Sequence, residues 1–461
     1  MIRLDYTPKL KTWLRYFPQG QLSLDPELLQ SCSGDAWMAR SRPDAVFKPR
    51  NVTEVQQIVR LCYRHQIPIT ARGAGRGYVG GCVPQRGGVV VDFSGMNRIL
   101  EISPEDGVAV VEPGVITADL QEAVRKRGWF YPPDPASLKE STIGGNVATN
   151  AGGPRCLKYG VTRHYILGLE VVLADGSLAR LGGRTHKNKT GFDLVGLFVG
   201  SEGMLGLITQ ITLRIIPHPP MCQALGAVFF SAQHAAAAVN AIFAEGLLPS
   251  AMEVADRNTI RAARDYLGGH PLLGGESFLI VEFDGHPEGV KEATRLAKNL
   301  LRRCGATKVT EARDAVAVEK LWELRRACSE ALKCSGRIKF NEDVVVPRSR
   351  LVELFELSQA LEKKYGYGVA SFGHAGDGNI HVNLMLTQEQ VKNRPLLHRA
   401  LDELFEKVLE WGGAITGEHG IGLAKLPWWT SATSSSVRAL HQQIKAALDP
   451  RHILNPGKFI E

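Results

Sequence analysis

The sequence predicts a globular protein of mixed helix and strand, divided into two or three domains, and three observations carry that expectation. At 461 residues the chain is too long for one hydrophobic core, since cores stop growing at roughly 250–300 residues. Its 44% hydrophobic and 22% charged residues are ordinary for a folded chain and exclude wholesale disorder. Helical and strand-like apolar patterns follow one another, punctuated by stretches dense in glycine.

In chain order, the first forty residues read as irregular. Lys9, Lys11, Trp13, Leu14, Arg15, Tyr16 and Phe17 mix basic and aromatic groups there, and are expected to pack on their own protein rather than on a membrane or partner. Regular structure begins at Pro43. Asn51 and Glu54 form an N-cap pair, and Val52, Val55, Ile58, Val59 and Cys62 make one apolar helical face. Strands are expected over 67–70, 88–93, 108–112 and 208–216, with a helix marked by Leu120 and Val124. Asp175-Gly176 reads as a hairpin turn after Val171, Val172 and Leu173.

Charge and cysteine usage narrow the partners. Fifty-five Lys+Arg against 47 Asp+Glu give +8, which favours an acidic substrate, an acidic partner or an anionic membrane surface. No dense basic tract points to nucleic acid. The eight cysteines are scattered without a Cys-x-x-Cys pair, which argues against an iron–sulfur cluster or structural zinc and for a reducing compartment. No apolar run approaches about 18 residues, and the start lacks a signal-peptide core. The expected location is cytoplasmic, at most peripheral to the inner face of a membrane.

Residues 371–383, Ser-Phe-Gly-His-Ala-Gly-Asp-Gly-Asn-Ile-His-Val-Asn, are the candidate centre of the chemistry. They bring His374 and His381 out of a glycine-rich turn into a short strand, with Asn383 on the same face as His381. Glu418 and His419, in Thr-Gly-Glu-His-Gly-Ile-Gly, form the second half. Two imidazoles and a carboxylate are the donor set of a three-ligand catalytic metal site. Taken singly, each residue reads sooner as a hydrogen-bonded loop histidine or a turn cap. Their grouping in two segments, each flanked by glycines, is what points to a site.

Three glycine-rich stretches precede them. Residues 71–81, Ala-Arg-Gly-Ala-Gly-Arg-Gly-Tyr-Val-Gly-Gly, let successive backbone N–H groups converge on an anion, as in a phosphate cradle. Residues 132–137 and 141–153 offer amides, hydroxyls and carboxamides suited to an uncharged, heteroatom-rich ring and its diphosphate tail. The third, Gly-Ser-Glu-Gly-Met-Leu-Gly, spans 200–206.

The order Arg-Gly-x-Gly-x-Gly, Pro-Asp-Pro-Ala-Ser, Ile-Gly-Gly-Asn-x-Ala-Thr-Asn-Ala-Gly-Gly, Gly-Ser-Glu-Gly-x-Leu-Gly resembles the FAD-binding domain of the vanillyl-alcohol oxidase superfamily. With Gly-His-x-Gly-Asp-Gly-Asn-x-His and Gly-Glu-His-Gly added, the chain resembles the FAD-linked D-2-hydroxyacid dehydrogenases and the FAD subunit of glycolate oxidase, from about Pro43 to Pro456. The resemblance implies an α+β fold: a PCMH-type FAD-binding domain of two α+β subdomains, and a cap domain holding an antiparallel sheet flanked by helices. Its boundaries are expected as an N-terminal segment at 1–42, the FAD domain at 43–218, a substrate or cap domain with the metal site at 219–450, and a C-terminal segment at 451–461 returning to the FAD domain.

The resemblance also assigns residues. The diphosphate loop carries over to Arg72, Gly73, Ala74, Gly75, Arg76 and Gly77, with Gly80 and Gly81 following. Pro113, Pro133, Asp134, Ser137, Ser141, Thr142, Gly144, Gly145, Ala148, Thr149, Asn150 and Gly152 continue the cofactor site. Glu202, Gly203, Gly206, Ile208 and, from the tail, Asn455 complete it, the last having an ordinary turn cluster as its other reading. Arg76 stands where relatives often carry a small hydroxyl residue, and no histidine takes the covalent-flavin position, so FAD is expected to be non-covalent. Arg76 either neutralises the diphosphate or points to solvent.

The implied metal ligands are His374, His381 and Glu418, for a divalent metal, zinc first with manganese or iron as alternatives. The implied base is His419. Arg325 would anchor the substrate carboxylate, with Ser329 one helical turn on and Asn383 close by; the other reading of Arg325 is a helix-surface salt bridge. A family lysine falls on Lys339 or, with a small register shift, on Asn341. The implied reaction is FAD-dependent oxidation of a small D-2-hydroxy acid, such as glycolate or D-lactate, to the 2-keto acid. Electrons would pass to an iron–sulfur subunit, a quinone or an electron-transfer protein. The alternatives are a metal-independent flavin alcohol oxidase of the same superfamily and a non-catalytic FAD-binding subunit of a redox complex.

Overall fold

A computed structural model describes residues 5–270, 272 and 274–460. The first four residues of the expected N-terminal segment and the last of the C-terminal one lie outside that set. The chain divides into two units, one of Met1–Gly152, Val161–His218 and Glu418–Glu461, the other of Gly153–Gly160 and Pro219–Gly417.

The first unit begins with a four-stranded sheet made of β1 (Leu22–Ser23), β2 (Ala45–Phe47), β3 (Ile69–Arg72) and β4 (Val89–Asp92), in the order β1-β2-β4-β3. β2 and β3 both run parallel to β4, and β4 is buried along its length, so a continuous Val-Val-Val run serves better than alternation. The crossover between β2 and β3 is the helix Val52–His65, where Asn51 Oδ1 caps the N–H of Glu54 at 3.1 Å and Val55, Ile58, Val59 and Cys62 are buried, as the sequence anticipates. The strand expected over 67–70 is shifted to Ile69–Arg72. Pro68 has no N–H for a ladder and gives only its carbonyl, to the N–H of Val89 at 2.8 Å.

Residues 5–40 are not irregular throughout. They form the helices Thr7–Trp13 and Pro26–Ser31, the second capped by Asp25. Leu10, Trp13 and Phe17 are buried with Phe47, Val55 and Ile58, so the basic-aromatic segment packs on its own unit, with Lys9, Lys11 and Arg15 exposed.

The unit's second sheet is antiparallel: β5 (Ile99–Ser103), β6 (Val108–Val111), β8 (Ile166–Val172), β9 (Leu178–Gly182) and β10 (Leu207–Arg214), in the order β5-β6-β10-β8-β9. A short pair, β7 (Trp129–Phe130) and β11 (Ile216–Pro217), accompanies it. The β8–β9 turn is the expected one, with Gly176 at φ 81° and Asp175 Oδ1 accepting from the N–H of Ser177.

The second unit is built on one seven-stranded sheet: β12 (Met221–Phe229), β13 (Ala251–Ala255), β14 (Ser277–Gly285), β15 (Lys308–Ala312), β16 (Ile338–Val345), β17 (Gly368–His374) and β18 (Asn379–Leu386). Their order is β15-β12-β14-β13-β17-β18-β16 and every pairing is antiparallel. Helices Arg257–Leu267 and Ala315–Lys333 bury Ile260, Ala263, Leu321 and Leu324 against Ala224, Ile280 and Phe372 on one face. Helix Leu351–Tyr365 lies on the other, where Ser358 bonds Ser371. The α+β fold with a helix-flanked antiparallel sheet is therefore present.

Candidate active site

In the first unit the glycine stretches converge on a cleft. Ala71, Arg72, Gly73, Phe93, Pro113, Thr142, Gly144, Gly145, Ala148, Ser201, Gly203, Gly206 and Ile208 line it. A Cβ on Gly73 would stand 2.4 Å from Thr142 Oγ1, and one on Gly144 would stand 2.5 Å from Pro113 Cβ, so the walls leave no room for side chains there. Thr142 caps the helix Ile143–Thr149 and Asn150 closes it at φ 51°. Among the described residues, the backbone amides of 74–77 find no acceptor in the protein. Those amides and the mostly small lining fit a cofactor with a diphosphate tail.

Several expected cofactor residues support this cleft from behind. Glu202, buried at φ 49°, accepts from the N–H groups of Ile421 at 2.8 Å and Gly422 at 2.9 Å. Asn455 donates through Nδ2 to the carbonyls of Gly81 and Glu202. Ser141 Oγ meets Thr117 Oγ1, Thr149 Oγ1 donates to the carbonyl of Gly145, and the carbonyl of Pro133 accepts from Gln121. Asp134 is buried, whereas Ser137 is half-buried. Arg72 points its guanidinium to the carbonyl of Gly34, and Arg76 pairs with Glu140 on the surface at 2.9 Å. Phe93 and Ser201 were not anticipated; Phe93 follows β4 directly, and that position was the only signal.

In the second unit the two histidines lie on adjacent strands. His374 ends β17 and His381 sits within β18, so the expected turn and short strand are a hairpin of two full strands. The register pairs Glu253 with His374, Phe372 with His381, Asp343 with His381, and Asn341 with Asn383. Opposed residues of an antiparallel pair share a face, so Glu253, His374, His381, Asn383, Asn341, Asp343 and Lys339 form one polar row. Lys339 and Asn341, two residues apart, are on the same face whichever takes the family position.

The row is densely bonded. The histidine rings are 5.5 Å apart and nearly perpendicular, at 83°. His374 Nδ1 is 2.6 Å from Glu253 Oε1. A carboxylate only accepts, so Nδ1 carries the proton and, in the neutral ring, Nε2 keeps its lone pair. Asp343 Oδ1 is 3.7 Å from His381 Nδ1, while Asn379, Thr416 and the N–H of Gly417 hold the Asp343 carboxylate. An imidazole backed by a carboxylate, as His374 is by Glu253, fits a metal ligand. Asn383 donates to the carbonyls of Ala370 and His381, and its buried Oδ1, like that of Asn341, has no hydrogen-bond partner among the described residues.

Cations complete the row. Arg325, from the helix Ala315–Lys333, is buried and ion-paired through Nε with Glu253, which corrects the surface-salt-bridge reading: the helix turns this residue toward the sheet. Its guanidinium lies 4.8 Å over Phe372. Lys339 Nζ donates to Ser329 Oγ at 2.8 Å, and burial pushes the ammonium down to about 8. Burial alone would raise Glu253, but Arg325 and His374 outweigh it and hold the carboxylate at about 2. Sequence reading missed Glu253 and Asp343. Glu253 was a lone acid in the small apolar strand Ala-Met-Glu-Val-Ala, and that contrast was the available signal.

Glu418 and His419 belong to the first unit. His419 is 5.2 Å from the Tyr78 ring, and a Cβ on Gly152 would come within 2.9 Å of Glu418 Oε1.

Residues 43–182 match the family described as FAD binding domain, and residues 219–459 match FAD linked oxidases, C-terminal domain. The chain belongs to the FAD-linked oxidase family. It is 40% identical over 420 residues to the glycolate oxidase subunit GlcD of Bacillus subtilis, covering 91% of this chain and 89% of that protein. It is 35% identical to a D-lactate dehydrogenase of Anaerostipes hadrus (91% and 90% covered) and 32% identical to the mitochondrial D-2-hydroxyglutarate dehydrogenase of Rattus norvegicus (96% and 83%). Among solved structures, 4-ethylphenol oxidase from Gulosibacter chungangensis aligns with a TM-score of 0.80 at 20% identity, and p-cresol methylhydroxylase with 0.78 at 18%, each over 99% of this chain and 97% of that one. At such identities they show the fold alone, which is PCMH-type. This FAD-linked oxidase is thus an oxidoreductase with FAD as its cofactor. No helix among its described residues is long and apolar enough to cross a membrane.

Proposed function

We propose that this FAD-linked oxidase oxidises a small D-2-hydroxy acid to the 2-keto acid, with His374, His381 and Glu418 holding a divalent metal and His419 as general base. The observation that carries the reading is the polar row itself: His374 hydrogen-bonded to Glu253, His381 with Asp343 3.7 Å away, and the cations Arg325 and Lys339 beside them. The relatives' names fit it, since glycolate, D-lactate and D-2-hydroxyglutarate share a hydroxyl next to a carboxylate. Glu418 follows Gly417 across one peptide bond, ~3.8 Å between Cα atoms, and the Gly417 N–H is held by Asp343.

When bound, the metal supplies Lewis acidity that lowers the hydroxyl pKa, and FAD supplies the hydride-accepting ring. The protein does the rest. Arg325 and Lys339 attract and orient the carboxylate. Asn383 and Asn341 stand in the same row, their buried carbonyl oxygens without a hydrogen-bond partner among the described residues. His419 takes the hydroxyl proton as hydride leaves C2. Without a Cys-x-x-Cys pair in the chain, electrons are assigned to an iron–sulfur subunit, a quinone or an electron-transfer protein.

The test is anaerobic mixing of the purified protein with glycolate and with D- and L-2-hydroxy acids, following the flavin absorbance before and after metal stripping. Bleaching by glycolate or D-acids that disappears with the metal and returns with zinc or manganese is expected. Bleaching that survives stripping would make it a metal-independent oxidase, and bleaching by none of the acids would overturn the substrate class.

A further inference from the structure

We infer that Glu253 is a positioning residue that ties the substrate anchor to the metal site, one carboxylate holding Arg325 with one oxygen and His374 with the other. The inference rests on the metal reading above. Glu253 Oε2 takes the Nε of Arg325, and Glu253 Oε1 takes the Nδ1 proton of His374 at 2.6 Å. The residue is fully buried in β13, one strand away from His374, with Glu253 and His374 directly opposed in register. Neither partner is its neighbour in sequence: the histidine is 121 positions away and the arginine 72.

The two contacts do different jobs. The contact to His374 fixes the tautomer and the ring plane, keeping the proton on Nδ1 so that Nε2 remains the ligating nitrogen. The contact to Arg325 fixes the direction of a guanidinium already stacked at 4.8 Å on Phe372, which sets where a substrate carboxylate docks. Both partners donate, so the residue between them must accept twice. An amide cannot. In Glu253→Gln, a carbonyl turned to His374 sets the NH2 against the Arg325 N–H, and a carbonyl turned to Arg325 sets the NH2 against Nδ1, forcing the proton to Nε2 and removing the ligand.

Glu282 supplies a matched control. It is equally buried, on the adjacent strand β14, and likewise bridges several donors, Arg155, Trp322 and Ser250, none of them in the polar row. Full-length, FAD-loaded, metal-stripped protein would be titrated with zinc alone against a chelating dye, for wild type, Glu253→Gln, Glu253→Asp and Glu282→Gln. Flavin content and thermal unfolding would be checked in parallel, and KM and kcat measured after zinc is restored.

Glu253→Gln is expected to weaken zinc roughly 10–100-fold, the usual scale for losing a metal ligand's supporting hydrogen bond, and to raise KM about tenfold with FAD retained. Glu253→Asp, acceptor-only but a methylene short, should fall between. Glu282→Gln should bind zinc like wild type. Unchanged zinc affinity in Glu253→Gln, or an equal loss in Glu282→Gln, would overturn the inference. Should Glu253→Gln fail to fold, an Asp variant with wild-type zinc affinity and KM would overturn it as well. Should the wild type itself take up neither zinc nor manganese, the metal reading fails first and visibly, and the inference with it.

Discussion

Lys339→Met should make the protein more stable and a poorer binder of its substrate. The Lys339 ammonium titrates near 8 instead of its ordinary 10.5, because burial disfavours the charge, with Lys333 adding like-charge repulsion. At ~1.36 kcal/mol per pH unit, holding it charged below pH 8 costs about 3 kcal/mol. Methionine removes that cost and gives up the hydrogen bond to Ser329 Oγ, worth ~1 kcal/mol. The net gain is ~1–2 kcal/mol at pH 7, a rise of about 2–8 °C in Tm for a unit of this size. The sign with pH follows from the same values. Between about 8 and 10.5 the unfolded chain holds the proton and the folded one does not, so wild-type stability rises with pH across that window. The variant lacks the rise. The assays are thermal unfolding at pH 7 and pH 10, and KM for the active D-acid across pH 7–9.5. Wild-type KM should climb above pH 8 as the charge is lost, while the variant's KM is high throughout and flat. A variant less stable than wild type at pH 7, with unchanged KM, would refute the reasoning and make Lys339 a structural cation.

Four further outcomes are expected. His419→Ala should slow flavin reduction by roughly 10²–10⁴-fold with FAD still bound, measured by anaerobic stopped flow; near-wild-type reduction would remove His419 as base. Glu202→Gln should cost about 1–3 kcal/mol in unfolding experiments and speed FAD release, because an amide leaves one of the buried N–H groups of Ile421 and Gly422 without its acceptor. Gly144→Ala should destabilise the flavin cleft by about 1–3 kcal/mol, its Cβ landing 2.5 Å from Pro113 Cβ and 2.8 Å from the Pro113 carbonyl. Gly77→Ala should unfold close to wild type, its nearest contact being Asp35 Oδ2 at 3.4 Å.

The sequence by itself determined what depends on a few neighbouring residues. The Asn51 cap, the Asp175-Gly176 turn and the glycine-built cleft are local backbone chemistry, and the placing of Asn383 with His381 needs only the two-residue period of a strand. The motif order also carried the family. Local signals failed where short elements lean on distant partners. The Thr7–Trp13 helix is too short to stand on propensity and exists because Leu10 and Trp13 are buried against Val55 and Ile58. Arg325 comes as the carboxylate anchor from the family resemblance alone, because nothing in Leu-Trp-Glu-Leu-Arg-Arg says which helical face meets the sheet.

Only the tertiary structure decided the supports of the site. Glu253 and Asp343 reach the histidines through the strand order β13-β17-β18-β16, in which β16 pairs with β18 rather than with β17, its neighbour in sequence. Which acid faces which imidazole depends on register, and a slip of one residue would turn every side chain of a strand to the opposite face. That register is fixed by the packing of the whole sheet against its helices, a sum over many residues far apart in the chain, and no short stretch of sequence contains it.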